Sequence, residues 1–163
     1  MKKLIVLLIM LLPLGVFAQE VKFAIVNSNE VFELMPELTG AETQIAALRA
    51  QYQKDLQDMD TELRTKYEEF MKIQETLTEN LRLRRQQEIQ DLQTRIENLI
   101  SVANQDVEQK TSEVLAPIQE KLQKAIEEVG KEQGYAIINP AALLYKGNMV
   151  DLTPMVKAKL GLK

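Results

Sequence analysis

Apolar residues recur along this chain in steps of three and four. The series Ile45, Leu48, Tyr52, Leu56, Met59, Leu63, Tyr67, Phe70, Ile73, Leu77, Leu81 lapses, then resumes at Ile89, Leu92, Ile96, Leu99, Ala103 and Val107. Steps of that size mark one face of an α-helix. Ten steps span the 36 residues from Ile45 to Leu81, a period near 3.6. A left-handed coiled coil holds 3.5 over many heptads, so the pattern predicts nearly straight helices that pack loosely. The run Ala41–Ala116 contains neither glycine nor proline over 76 residues. One rod of that length would reach roughly 114 Å, with an apolar stripe too narrow to stand alone. A hairpin resolves this, each arm of roughly 57 Å covering the other's stripe. The lapse predicts the turn near 76–84, where Thr76 and Glu79 have capping-box spacing and Asn80 tolerates left-handed backbone.

The flanks read differently. Val21–Asn27 alternates as a short strand, with Lys22, Ala24 and Val26 on one face and Phe23 and Ile25 on the other. Asn27 and Ser28 can cap a helix over 29–35 that Pro36 stops, and Thr39 with Glu42 forms a second capping box to launch the long run. Beyond it, Pro117 sits inside a continuing helical pattern, where it predicts a kink. Gly134 suits a left-handed cap. Tyr135–Asn139 reads as a strand, 140–142 as a turn and Leu143–Lys146 as another strand. Thr153 and Pro154 open a last helix that ends at Gly161.

The predicted fold class is α+β, mostly α: a small β-sheet body that oligomerises through its strands, with a long projecting antiparallel helical hairpin. The body is discontinuous, 19–39 plus 117–163, and the hairpin is 40–116. So small a body is marginal as a self-sufficient core. With no cysteine in the chain, disulfides cannot reinforce it, and oligomerisation is the natural remedy.

Residues 1–18 are expected to form a cleaved signal peptide. Lys2 and Lys3 precede nine consecutive apolar residues, Leu4–Leu12, and Val16-Phe17-Ala18 offers small residues at the cleavage site. The apolar run is well short of the ~20 residues a spanning helix needs. Its removal takes two lysines from a chain of net charge −4, leaving −6. No basic excess remains to bind nucleic acid. Histidine, cysteine and tryptophan are absent. That excludes imidazole acid–base chemistry, thiol nucleophiles and the usual zinc sites. No glycine-rich phosphate loop is present, and the carboxylates lie on helix faces among Lys, Arg and Gln. The reading is of a non-enzyme with no cofactor and no metal.

Three sets of candidate residues remain. Phe23, Ile25, Val26, Ile137, Ile138 and Leu144 are the strand residues through which bodies would associate. Tyr52, Met59, Tyr67, Phe70 and Met71 are large, adaptable side chains that either fill the seam between the arms or accept unfolded apolar segments. Phe70 and Met71 are adjacent and cannot both face one seam. Arg82, Arg84 and Arg85 are a local positive patch that either meets an anion, such as a lipid head group, or keeps a helix end soluble.

Taken in order, the leader, Lys22-Phe23-Ala24-Ile25-Val26-Asn27, the charged hairpin, the segment Ala125–Tyr135, the strands ending at Tyr145 and Asp151-Leu152-Thr153 resemble the Skp/OmpH family of periplasmic chaperones. The resemblance covers essentially the whole mature chain, and its specific parts are the two ends. It implies a homotrimer with a β-barrel-like hub and three hairpins hanging around a cavity. That cavity would hold unfolded outer-membrane β-barrel precursors without ATP. The well-known members are basic, whereas this chain is acidic. Either its clients differ in charge or apolar contact dominates. A peripheral contact with membrane or lipopolysaccharide is disfavoured, the arms carrying 15 acids against 10 bases between Ala41 and Ala116. The alternative reading is an exported structural or adaptor protein of the cell envelope.

Overall fold

The computed structural model describes residues 21–162. The expected signal peptide lies outside the described residues. The elements run β1 (Lys22–Ile25), α1 (Ser28–Glu33), α2 (Pro36–Ile73), α3 (Glu79–Gln133), β2 (Tyr135–Ile138), a 3-10 turn (Pro140–Ala142), β3 (Val150–Asp151) and α4 (Thr153–Lys159). The fold is α+β and mostly α: two long helices and a three-stranded sheet of order β2-β1-β3. Both neighbours of β1 run parallel to it, with Ala24 opposite Ile137 and Val150. Parallel strands need a crossover, and the β1-to-β2 crossover here contains the entire hairpin.

The core lies where the two ends of the chain meet. Ala24 and Val26 pack with Val31 and Met35, with Ala41, with Ile118, Leu122, Ala125 and Val129 of α3, and with Leu152 and Val156. The alternation in β1 thus sends its Ala24/Val26 face to the helices and leaves Phe23, on the other face, half exposed. Polar contacts seal the join between the two ends. Thr153, buried, accepts a hydrogen bond from the Asn27 N–H on Oγ1 at 2.9 Å, and Leu152 N–H donates to the Ile25 carbonyl at 2.9 Å. Asn139 Nδ2 reaches Ser28 Oγ at 2.8 Å.

Several local expectations change. Asn27 does cap α1, accepting the Glu30 N–H at 3.3 Å, but Pro36 starts the long helix rather than only stopping the short one. Proline's fixed φ and missing N–H suit a first helical turn, where that donor would be unpaired anyway. Thr39 therefore lies inside α2, its carbonyl accepting the Thr43 hydroxyl, and the Thr39/Glu42 capping box does not form. The hairpin turns at 74–78, overlapping the start of the segment expected from the pattern. Thr78, not Thr76, precedes α3, with no side-chain cap; the Thr76 hydroxyl donates to the Ile73 carbonyl. Among the described residues only glycines adopt positive φ, so Asn80 does not. Gly134 caps α3 at φ 71°, as its position suggests. The helix continues through Pro117.

The strand expected at Leu143–Lys146 is absent; the third strand is Val150–Asp151. Leu144 is fully exposed, and its segment joins neither outer strand of the sheet. Thr153 is the first residue of α4 rather than its cap; Leu152 holds that place, and the Asp151 carboxylate accepts the Thr153 N–H at 2.9 Å.

Candidate functional site

The hairpin stripe behaves as two helices covering one another. Ile45 and Phe70 of α2 are buried, as are Ile89, Leu92, Ile96 and Ala103 of α3. The positions between them on α2, Leu48, Tyr52, Leu56, Met59 and Leu63, are only half buried. Two helices alone cannot enclose a stripe that drifts around each axis, so its edges stay accessible along the arms. Open troughs follow the seam. One of about 440 Å³ is lined by Arg49, Tyr52, Leu56, Ala103 and Val107, and another of about 490 Å³ by Arg49, Val107, Thr111 and Leu115. Near the tip, Phe70 and Ile89 border a cavity of only about 30 Å³.

The five large side chains of the first arm divide. Phe70 fills the seam, whereas Met71 and Tyr67 are about half exposed. Tyr52 and Met59 lie at the seam's edge. The Tyr52 hydroxyl donates to the Asp106 carboxylate of the opposite arm, which holds the phenol's pKa above its ordinary value. Glu37 pairs with Lys121 nearer the body, and that contact lowers the Glu37 pKa. The three tip arginines are not free cations: Arg82 pairs with Glu79, Arg84 lies 3.4 Å from Glu88, and Arg85 lies 3.0 Å from Glu88. The negative charge of those glutamates offsets the patch.

The strand residues also divide. Val26 and Ile25 are buried within the single chain, Val26 in its own core, so neither side chain is left for a neighbour. Ile137 packs against the same core. Phe23 and Leu144 remain exposed, together with Val21, Tyr145, Val150 and Met155. None of those last four stood among the candidate residues, although Val21 and Tyr145 fell within expected strands and Met155 within the last expected helix. Leu81 and Leu83 are exposed too. They begin α3 beside the turn, where the opposite helix no longer reaches. Ile100 and Val102, also exposed, flank the stripe positions Leu99 and Ala103, and their off-phase placement was the available signal.

Among the described residues no group of three or more carboxylates, histidines or cysteines could hold a metal ion, and no helix is long and apolar enough to cross a membrane. What the residues do build is surface: a long amphipathic hairpin on a small parallel sheet. Residues 22–160 match the family described as outer membrane protein (OmpH-like), and the chain belongs to that family. Among solved structures, a candidate OmpH-like outer membrane chaperone from Caulobacter crescentus CB15 superposes with a TM-score of 0.73 at 15% identity, covering 86% of this chain and 83% of that one. At that identity the likeness is one of fold. No curated protein matches the chain.

Proposed function

We propose that this chain is an ATP-independent periplasmic holdase chaperone. It would bind unfolded outer-membrane β-barrel precursors between helical arms and keep them from aggregating. The observation that carries this reading is the half-covered hairpin seam: Tyr52, Leu56 and Met59 at its edge, Tyr67 and Met71 beyond it. A client held by many weak apolar contacts keeps its own disorder, and Met and Tyr re-pack to suit different segments. Family membership and the fold of the Caulobacter protein agree with it. In this reading the chain is exported by a leader cleaved after Ala18. The body is 19–39 plus 117–163, the hairpin 40–116, and three bodies associate through Phe23, Leu144 and the exposed residues around them. No catalytic step is involved, and release comes from competition by a downstream folding machine.

Light scattering tests the proposal. A denatured outer-membrane β-barrel is diluted into buffer with rising amounts of mature protein, residues 19–163, without nucleotide. Suppression that saturates near three chains per client is expected. A folded protein that fails to suppress scattering overturns the reading in favour of an envelope adaptor with one fixed partner.

A further inference from the structure

The two flanks of the hairpin seam differ in chemistry. At the tip, Lys66, Glu69, Arg85 and Glu88 border the small cavity beside Phe70 and Ile89. Helical steps of three, four and seven carry that flank inward through Glu62 and Asp55 on α2 and through Asp106, Lys110 and Glu113 on α3. The opposite flank carries the two open troughs, which share Arg49, Asn104 and Val107 and so run into one another. Half-buried Tyr52, Leu56, Val107 and Leu115 form the floor. Exposed Gln53, Gln57, Asn104, Ser112 and Gln119 form the rim. Arg49, Asp60 and Glu108 are the charged side chains of this lining, and they sum to a single negative charge. Continued outward from Asp60 in steps of seven and four, the flank reaches Tyr67 and Met71, exposed large side chains of the arm.

The rim is free to bind. Among the described residues Gln51 and Gln87, outside the trough, give their amides to Asp55 at 2.9 Å and Asp91 at 2.7 Å, whereas the rim side chains of Gln53, Gln57, Asn104 and Gln119 make no hydrogen bond within the chain. A carboxamide both donates and accepts, so such a rim meets the N–H and C=O groups of a backbone running in either direction. The trough follows α3 from Ala103 to Gln119, roughly 24 Å at about 1.5 Å per residue. That length takes about seven residues of extended chain. An outer-membrane barrel strand is about 9–11 residues long and alternates apolar with polar side chains. Its apolar side chains match the floor, and its backbone groups match the rim.

We infer that the uncharged trough, not the charged flank, is where this chain holds its client, and that the occupant is an extended strand segment recognised without regard to its charge. The inference rests on the chaperone reading and deepens it. An acidic chain can thereby hold acidic clients, because the contacts are apolar surface and backbone hydrogen bonds rather than ion pairs. Repulsion from the rest of the chain is screened within about 8 Å at physiological salt.

Photocross-linking tests the assignment. Benzoylphenylalanine is placed singly at Gln57 or Ser112 on the trough, and at Glu62 or Glu113 on the charged flank. The mature protein is mixed with a denatured outer-membrane β-barrel and irradiated, and cross-linking is expected to be severalfold stronger from the trough. Fluorescence anisotropy then follows a labelled peptide of one acidic barrel strand. It should bind with little change between low and high salt, and more tightly than a peptide of the same composition whose apolar residues recur every three or four. Gln53→Glu with Gln57→Glu, both at exposed positions, should weaken that binding severalfold and make it salt-dependent. Gln44→Glu with Gln51→Glu, the same charge on the other flank, should leave it unchanged. A protein that suppresses scattering yet cross-links equally from both flanks, prefers the helical-period peptide, or responds alike to both pairs of substitutions overturns the trough. A protein that neither suppresses scattering nor binds either peptide overturns the chaperone reading itself, and the trough with it.

Discussion

At the scale of the residue, Gly130 is the position where chemistry is least negotiable. A Cβ there would sit 3.0 Å from Ile137 Cγ1 and 3.1 Å from the Tyr135 carbonyl oxygen. The end of α3 and the start of β2 are therefore pressed together with only a hydrogen between them. Ile137 can yield; the carbonyl belongs to the backbone that begins the strand. Gly130→Ala should destabilise the body by about 1–3 kcal/mol through overpacking, reduced by the roughly 1 kcal/mol that alanine gains over glycine in a helix. Urea unfolding followed by circular dichroism checks it; a variant clearly more stable than the parent would contradict the crowding. Asp151 shows the same economy in charge. Its hydrogen bond from Thr153 holds its carboxyl below the ordinary value, with Lys146 and Lys157 adding to the effect. Glu37 and Glu128 are lowered chiefly by Lys121 and Lys159. A lowered folded pKa means the contribution is present above the unfolded value and disappears as pH falls through the folded one. The melting temperature should thus hold near neutrality and decline below about pH 4. Asp151→Asn should flatten part of that decline, its own titration being removed.

At the scale of the element, the seam and the body differ in what holds them. Leu92 is 1% exposed and sits midway along the distal seam. Leu92→Ala should cost about 2–5 kcal/mol locally. Because the arm makes no packing contact with the core cluster beyond its base, that loss should appear as faster amide exchange in the arms, with the amides of β1 and β2 unchanged. Equal loss of protection in both would mean that hairpin and body unfold as one unit. Much of this element was legible in the sequence, because a 3.6-residue period over tens of residues leaves few alternatives. Its ends were not. Thr39/Glu42 and Thr76/Glu79 have the right spacing for caps, yet a proline at position 36 and a tight turn at 74–78 set the boundaries instead. A capping box is worth little against the backbone constraint of proline. The strand read at Leu143–Lys146 failed for another reason. Its β-forming residues are real, but strand formation rests on packing against a neighbouring strand, and this segment joins neither open edge of the sheet. Among the candidate site residues, the arm set needed the structure to separate Phe70 from Tyr67 and Met71, since adjacency says only that they diverge.

At the scale of the whole molecule, the sheet raises a problem that one chain leaves unsolved. Parallel sheets are ordinarily covered on both faces. Here one face rests on helices, while on the other Phe23 is half exposed and β2 presents an unpaired edge. Val21, Leu144, Tyr145, Val150 and Met155 add further exposed apolar side chains, all on the body. An oligomer built on these residues would bury them and give Leu144 the strand partner it lacks. The consequences are measurable by mass action, since association stabilises the folded state in proportion to the logarithm of concentration. Sedimentation equilibrium of the mature chain should give a trimer, and its melting temperature should rise with protein concentration. Phe23→Asp places a charge where an apolar contact is expected, so that variant should sediment as a monomer and melt independently of concentration. Its hairpin, whose seam is made within one chain, should keep its helical circular dichroism. A wild-type monomer at micromolar concentration would remove the trimer from the proposed mechanism. The half-covered seams would then have to hold a client without a closed cavity, and suppression of aggregation would saturate at a stoichiometry set by the client's length rather than by three arms.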